Sequence, residues 1–93
     1  MYKIIFKEDV AIEISDAYNW YEKKKIGLGE TLLNSIDIAI SLLQINPTYY
    51  SYIHKSKRKI VVKGFPYKII YEIFEEEIFI YGLKHFKQDN YKI

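Results

Sequence analysis

The stretch from Lys59 to Phe86 limits what this chain can fold into more than any other. Its centre reads Phe65-Pro66-Tyr67-Lys68-Ile69-Ile70-Tyr71-Glu72-Ile73. Ile, Val, Tyr and Phe dominate it, and these side chains fit a pleated, half-buried surface. Two breaks interrupt the run, at Gly64-Phe65-Pro66 and at Glu75-Glu76-Glu77. Three short strands joined by tight connections are therefore predicted. The period of two sends Ile60 and Val62 to one face, and Lys57, Lys59, Val61 and Lys63 to the other. In the next strand Ile69, Tyr71 and Ile73 share a face, and Lys68, Ile70 and Glu72 share the opposite one.

A sheet with one apolar face needs a layer to cover it. The first half of the chain supplies that layer. Tyr2–Phe6 alternates as a strand, and the acids Glu8 and Asp9 then suit a helix start. Val10, Ile14, Ala17 with Tyr18, and Tyr21 recur at helical spacing and share one face. Lys23-Lys24-Lys25 suits a helix C-terminus, and Gly27 ends the helix. Leu28-Gly29-Glu30 opens a second helix with Leu32, Ile36, Ala39, Ile40 and Leu43 on one face. Asn46-Pro47 stops it, because the residue before proline is pushed out of the α region. Thr48–Lys57, with Tyr49, Tyr50 and Tyr52, reads as a loop leading into an irregular strand. The expected fold is α+β, ordered β-α-α-β-β-β, with a helical hairpin on one face of an antiparallel-rich sheet. Residues 1–93 are expected to form a single domain.

At 93 residues the chain can bury only about 60–65% of its unfolded surface, so the core is small. There is no cysteine, which excludes disulfides and thiolate metal sites and fits a reducing compartment. His54 and His85 are too far apart in sequence to form a local metal-ligand pattern. No metal and no cofactor are implied. The longest apolar runs fall short of the roughly 18 residues that a membrane span needs. Met1–Phe6 meets Glu8 and Asp9 without a signal-peptide apolar region. A cytoplasmic protein with no membrane partner is expected.

The net charge of +2 conceals an asymmetry. Residues 1–46 carry a balance of −2 and residues 47–93 a balance of +4. From His54 to Lys68 there are six basic residues (Lys55, Lys57, Arg58, Lys59, Lys63 and Lys68) and no acid. Such a run is either a solvated face or the footprint of an acidic partner. Lysines with Val61 and Ile70 among them suit an amphipathic, acidic protein segment. Cleavage of RNA at a 2′-hydroxyl is the chemical alternative. It needs a base, an acid and cations for the developing charge. His85 is the only plausible acid–base histidine near the basic face, but it reads more readily as a hydrogen-bonded residue at a strand end. His54 sits in the basic loop, where positive neighbours disfavour its charged form. Tyr67 and Tyr71 fit core or groove lining better than base-stacking platforms.

Four pieces of the chain resemble the RelE/ParE superfamily of toxins from type II toxin–antitoxin modules, often called plasmid stabilisation proteins. They are Trp20-Tyr21-Glu22, Gly27-Leu28-Gly29-Glu30, Asn46-Pro47, and Phe65-Pro66-Tyr67-Lys68-Ile69-Ile70-Tyr71 preceded by Arg58. The helical hairpin resembles ParE-like members most. The resemblance implies a toxin that arrests growth and is neutralised by a cognate antitoxin with an acidic, partly disordered segment. That segment, or the toxin's cellular target, would contact Lys57, Arg58, Lys59, Lys63, Lys68 and Ile70. Characterised ParE-like members poison DNA gyrase, whereas RelE-like members cut mRNA on the ribosome. The RelE-like reading would use Lys59, Lys63, Lys68 and His85. Two departures weigh against it. Val61 stands where another lysine would be wanted, and Gln88 where arginine is usual in a C-terminal pattern running from His85 through Phe86 and Lys87 to Asp89. Without arginine's planar fork, a bidentate phosphate clamp is weakened. The implied function is thus a ParE-like gyrase inhibitor, with the ribosome-dependent endonuclease as the alternative. A degenerate member that only binds its antitoxin is a third possibility.

Overall fold

The computed structural model describes residues 2–87. Strand β1 (Lys3–Phe6) leads into helices α1 (Val10–Lys24) and α2 (Leu28–Ile45). A short 3₁₀ turn (Pro47–Tyr49) follows, then β2 (Tyr52–His54), β3 (Lys57–Val62), β4 (Tyr67–Phe74) and β5 (Glu77–His85). The expected α+β order is present with one strand added. β2 falls where the sequence predicts only a loop, because it is three residues long and pairs with β3 at just two positions. Lys55, at φ 51°, supplies the left-handed turn between them.

The strands lie in the order β1-β5-β4-β3-β2. β2, β3, β4 and β5 pair antiparallel, while β1 joins β5 in parallel and so forms one edge. Ile60, Val62, Ile69, Tyr71, Ile78, Ile80 and Leu83 enter the core. They meet Val10 and Ala17 of α1 and Leu32, Ile36, Ala39 and Leu43 of α2. By length and composition alone α2 could cross a membrane. Its buried side is instead a wall of this core.

The hairpin turn has a specific cause. The Glu22 carboxylate accepts hydrogen bonds from the Gly27 and Gly29 backbone N–H groups, both at 2.9 Å. These are donors at the start of α2 that have no intrahelical partner, and a negative group is favoured there. Gly27 takes φ +92°, a conformation costly for residues with a Cβ. A Cβ on Gly29 would lie 2.7 Å from the Tyr18 ring, so the two helices close on a bare backbone.

β5 carries a bulge. Tyr71 pairs with Ile80, yet Ile70 pairs with Gly82, so one extra residue is accommodated there. Ile80 and Leu83 both reach the core as a result, although strict alternation would put them on opposite faces.

Candidate functional site

The register fixes which predicted site residues meet. Lys59 opposes Ile70, and Val61 opposes Lys68, on the face away from the helices. Lys57 and Glu72 pair on that same face. Lys57, Lys59 and Lys68 are therefore brought together, as expected, and Lys63 lies exposed in the turn beyond β3. Lys68 is nearly enclosed at 8% exposure, and Ile70 is 0% exposed. Ile70, expected to touch a partner, is covered between β3 and β5 and presents no surface.

Arg58 also departs from expectation. It lies on the helix side and holds down the chain that follows α2. Its guanidinium donates to the carbonyls of Thr48 (3.0 Å) and Tyr50 (2.7 Å) and to the Tyr52 hydroxyl (2.7 Å). It also stacks 3.9 Å from the centre of the Tyr52 ring. Arginine's fork suits this multiple grip.

His85 does not join the lysines. The bulge returns it to the helix side, opposite Tyr67, with ring centroids 5.4 Å apart. Its Nδ1 accepts from the Lys87 backbone N–H at 3.1 Å. The grouping of His85 with Lys59, Lys63 and Lys68 that the RelE-like reading requires is corrected on this ground, and His85 is the hydrogen-bonded residue at a strand end that the sequence favours. Gln88 and Asp89 lie outside the described residues.

A different set of proton-exchanging groups stands on the lysine face. The Tyr81 hydroxyl donates to Glu72 Oε1 at 2.6 Å, and the Ser56 hydroxyl donates to Glu72 Oε2. The Lys57 ammonium lies 4.7 Å from the centre of the Tyr81 ring. The Ser56 and Tyr81 hydrogen bonds hold the Glu72 carboxyl below its ordinary pKa, with Lys57 adding to the effect. The same Glu72 bond, with burial, pushes the Tyr81 phenol up to about 12. The parity of Glu72 was readable from the sequence. Its bond to Tyr81 was not, because that depends on how β5 pairs with β4.

A second feature borders this face. Ile38, Leu42 and Ile45 are exposed at i, i+4 and i+7, so α2 is apolar on a side that the core does not use. β2 covers β3 only at Lys57 and Arg58, and Lys59 N–H is taken by the Ser51 carbonyl. Past that point a groove of about 610 Å³ runs along β3, with Leu42, Tyr49, Tyr50, Lys59 and Val61 among its walls. Leu42 is 44% and Val61 50% exposed. The spacing of Ile38, Leu42 and Ile45 was the available sequence signal. Among the described residues no cluster of metal-ligating side chains is present.

No protein-family model matches the sequence, and no curated protein matches it. Solved structures do. A chain titled as a chromosomal ParDE TA system from P. aeruginosa superposes with a TM-score of 0.79 at 13% identity, over 91% of this chain and 96% of that one. This chain has the RelE/ParE toxin fold. The isolated E. coli RelE toxin superposes with a TM-score of 0.68 at 15% identity, over 97% of this chain and 89% of the other. The RelE/ParE fold of this chain is thus nearer the ParDE chain in shape, as the Trp20–Glu30 hairpin suggested.

Proposed function

We propose that the chain is the toxin of a type II toxin–antitoxin module in the cytoplasm, held inactive by an acidic antitoxin, and that it acts on DNA gyrase without cutting RNA. The fold shared with a ParDE chain and with RelE supports the toxin part. The observation that carries the choice of target is the separation of His85 from Lys57, Lys59 and Lys68 on opposite sides of the sheet. A nuclease of the expected type needs those groups around one phosphate.

The antitoxin's place is the lysine face together with the α2–β3 groove. Lys59 lines the apolar groove, with Lys57 earlier on β3 and Lys63 in the turn beyond it, and an amphipathic acidic segment meets both features. Ile70 is enclosed and Arg58 is committed to Thr48, Tyr50 and Tyr52, so neither is a contact. Expressing the chain alone in a bacterium tests this reading. Growth arrest is expected, with rescue by co-expressing the acidic product of the neighbouring gene. Unimpaired growth at high expression contradicts it.

One observation favours the endonuclease as a second reading. Glu72, Tyr81 and Lys57 place a carboxylate, a phenol and a cation on the lysine face. Glu72 would accept the 2′-hydroxyl proton as that oxygen attacks phosphorus, and Lys57 would protonate the departing 5′-oxygen. Both Glu72 oxygens already accept hydrogen bonds and its pKa is depressed, which makes it a poor base. Wild-type cleavage of ribosome-bound message that disappears in Glu72→Gln would establish this reading. Intact message with the wild-type protein excludes it.

A further inference from the structure

On the sheet face opposite the lysines, α1 and β5 line a separate cleft. Glu13, Asp16, Ala17 and Trp20 recur at i, i+3, i+4 and i+7, so they form one stripe. The stripe faces β5 where β1 no longer covers it, since their pairing ends at Phe6 and Ile80. The space between has a volume of about 410 Å³, and Tyr21, Tyr67, Leu83 and His85 complete its walls.

Its chemistry differs from that of the rest of the surface. Glu13 is already engaged, accepting from Leu83 N–H at 3.1 Å and from the Lys84 ammonium at 2.5 Å. It thereby closes the open edge of β5. Asp16, less than one turn further on, is exposed, and among the described residues it makes no hydrogen bond or ion pair. Beyond it the rings of Trp20, Tyr21, Tyr67 and His85 run edge to face, with centroids 4.8, 6.2 and 5.4 Å apart in turn. Trp20 is 55% exposed. The Lys24 ammonium lies 4.6 Å from its ring centre, so this indole already meets a cation.

We propose that the cleft receives one cationic side chain, an arginine, from a partner peptide. The guanidinium would lie against Trp20 and hydrogen-bond to the Asp16 carboxylate. Arginine suits the place better than lysine because its planar, weakly hydrated fork stacks on aromatic faces and binds carboxylates in pairs. Charge complementarity selects a cation, for of the two acids that line the cleft Glu13 is neutralised by Lys84 and Asp16 is left exposed. The inference does not rest on the toxin reading.

Trp20 is the only tryptophan in the chain, so its fluorescence reports occupancy directly. The probe is a blocked Gly-Arg-Gly peptide, titrated beside the same peptide with neutral citrulline in place of arginine. A saturable change is expected with arginine, and binding about fivefold weaker or worse with citrulline. Asp16→Asn should weaken arginine binding to a similar degree, while Asp37→Asn, an exposed acid on the other helix, leaves it unchanged. Circular dichroism confirms that both variants fold. Equal response to citrulline, equal response in Asp16→Asn, or no saturable change with arginine overturns the proposal.

Discussion

Glu22 joins the two helices through a single carboxylate. Its bonds to Gly27 and Gly29 explain why the Trp20-Tyr21-Glu22 and Gly27-Leu28-Gly29 pieces occur together at this spacing. Replacing it with alanine should cost about 1–2 kcal/mol, read as a lower urea midpoint at constant m-value. Gly29→Ala should cost as much or more, because its Cβ would meet the Tyr18 ring and the Glu22 carboxylate. Tyr71 plays a comparable part in the core, where its fully buried hydroxyl donates to the Pro47 carbonyl at 2.6 Å. Tyr71→Phe leaves that buried carbonyl unpaired and should cost about 1–3 kcal/mol in the same measurement. The Gly27 and Asn46-Pro47 boundaries were legible in the sequence because Gly and Pro act through the local backbone. The Glu22 and Tyr71 bonds were not, since each depends on elements meeting across the turn or the core.

At the scale of elements, the apolar faces of both helices and of β3 were legible, because period and burial agree along them. In β4 the core face was legible, but the burial of Lys68 and Ile70 on the other face was not, since β4 lies between β3 and β5. β5 was only half legible. One extra residue near Tyr81 reverses the parity of everything after it, and this moves His85 off the lysine face. No local composition marks such a bulge, because it is fixed by pairing with β4. α2 presents the opposite case, a second apolar stripe that is visible in the sequence but is passed over once the core face is assigned. Its exposure gives a prediction. Leu42→Asp should shift stability by only about 0.5 kcal/mol or less, as exposed substitutions usually do. The same variant should lose antitoxin binding about tenfold or more in a titration calorimeter. Unchanged binding would place the antitoxin elsewhere.

Across the whole molecule, charge and titration set the working range. Burial holds the Tyr71 phenol up at about 12, and the Glu72 bond does the same for Tyr81. Both folded values exceed the ordinary 10.0, so the stability they contribute is complete below pH 10 and is lost as pH rises from about 10 to about 12. A spectrophotometric tyrosine titration should show these two phenols ionising last, together with alkaline unfolding. Glu72 acts in the reverse sense. Its depressed value contributes stability above the ordinary 4.5, and this is lost as pH falls below that and through the folded value. Segregated charge also divides the surface, with the lysines of β3 and β4 on one side and Asp16 and Trp20 on another. The central proposal is that the chain acts on DNA gyrase and does not cut RNA. The most direct test is gyrase supercoiling of relaxed plasmid DNA with the purified chain, with and without its antitoxin. Loss of supercoiling with accumulation of DNA breaks, both reversed by the antitoxin, is the predicted result. Normal supercoiling by gyrase at concentrations of a chain that arrests growth would contradict it.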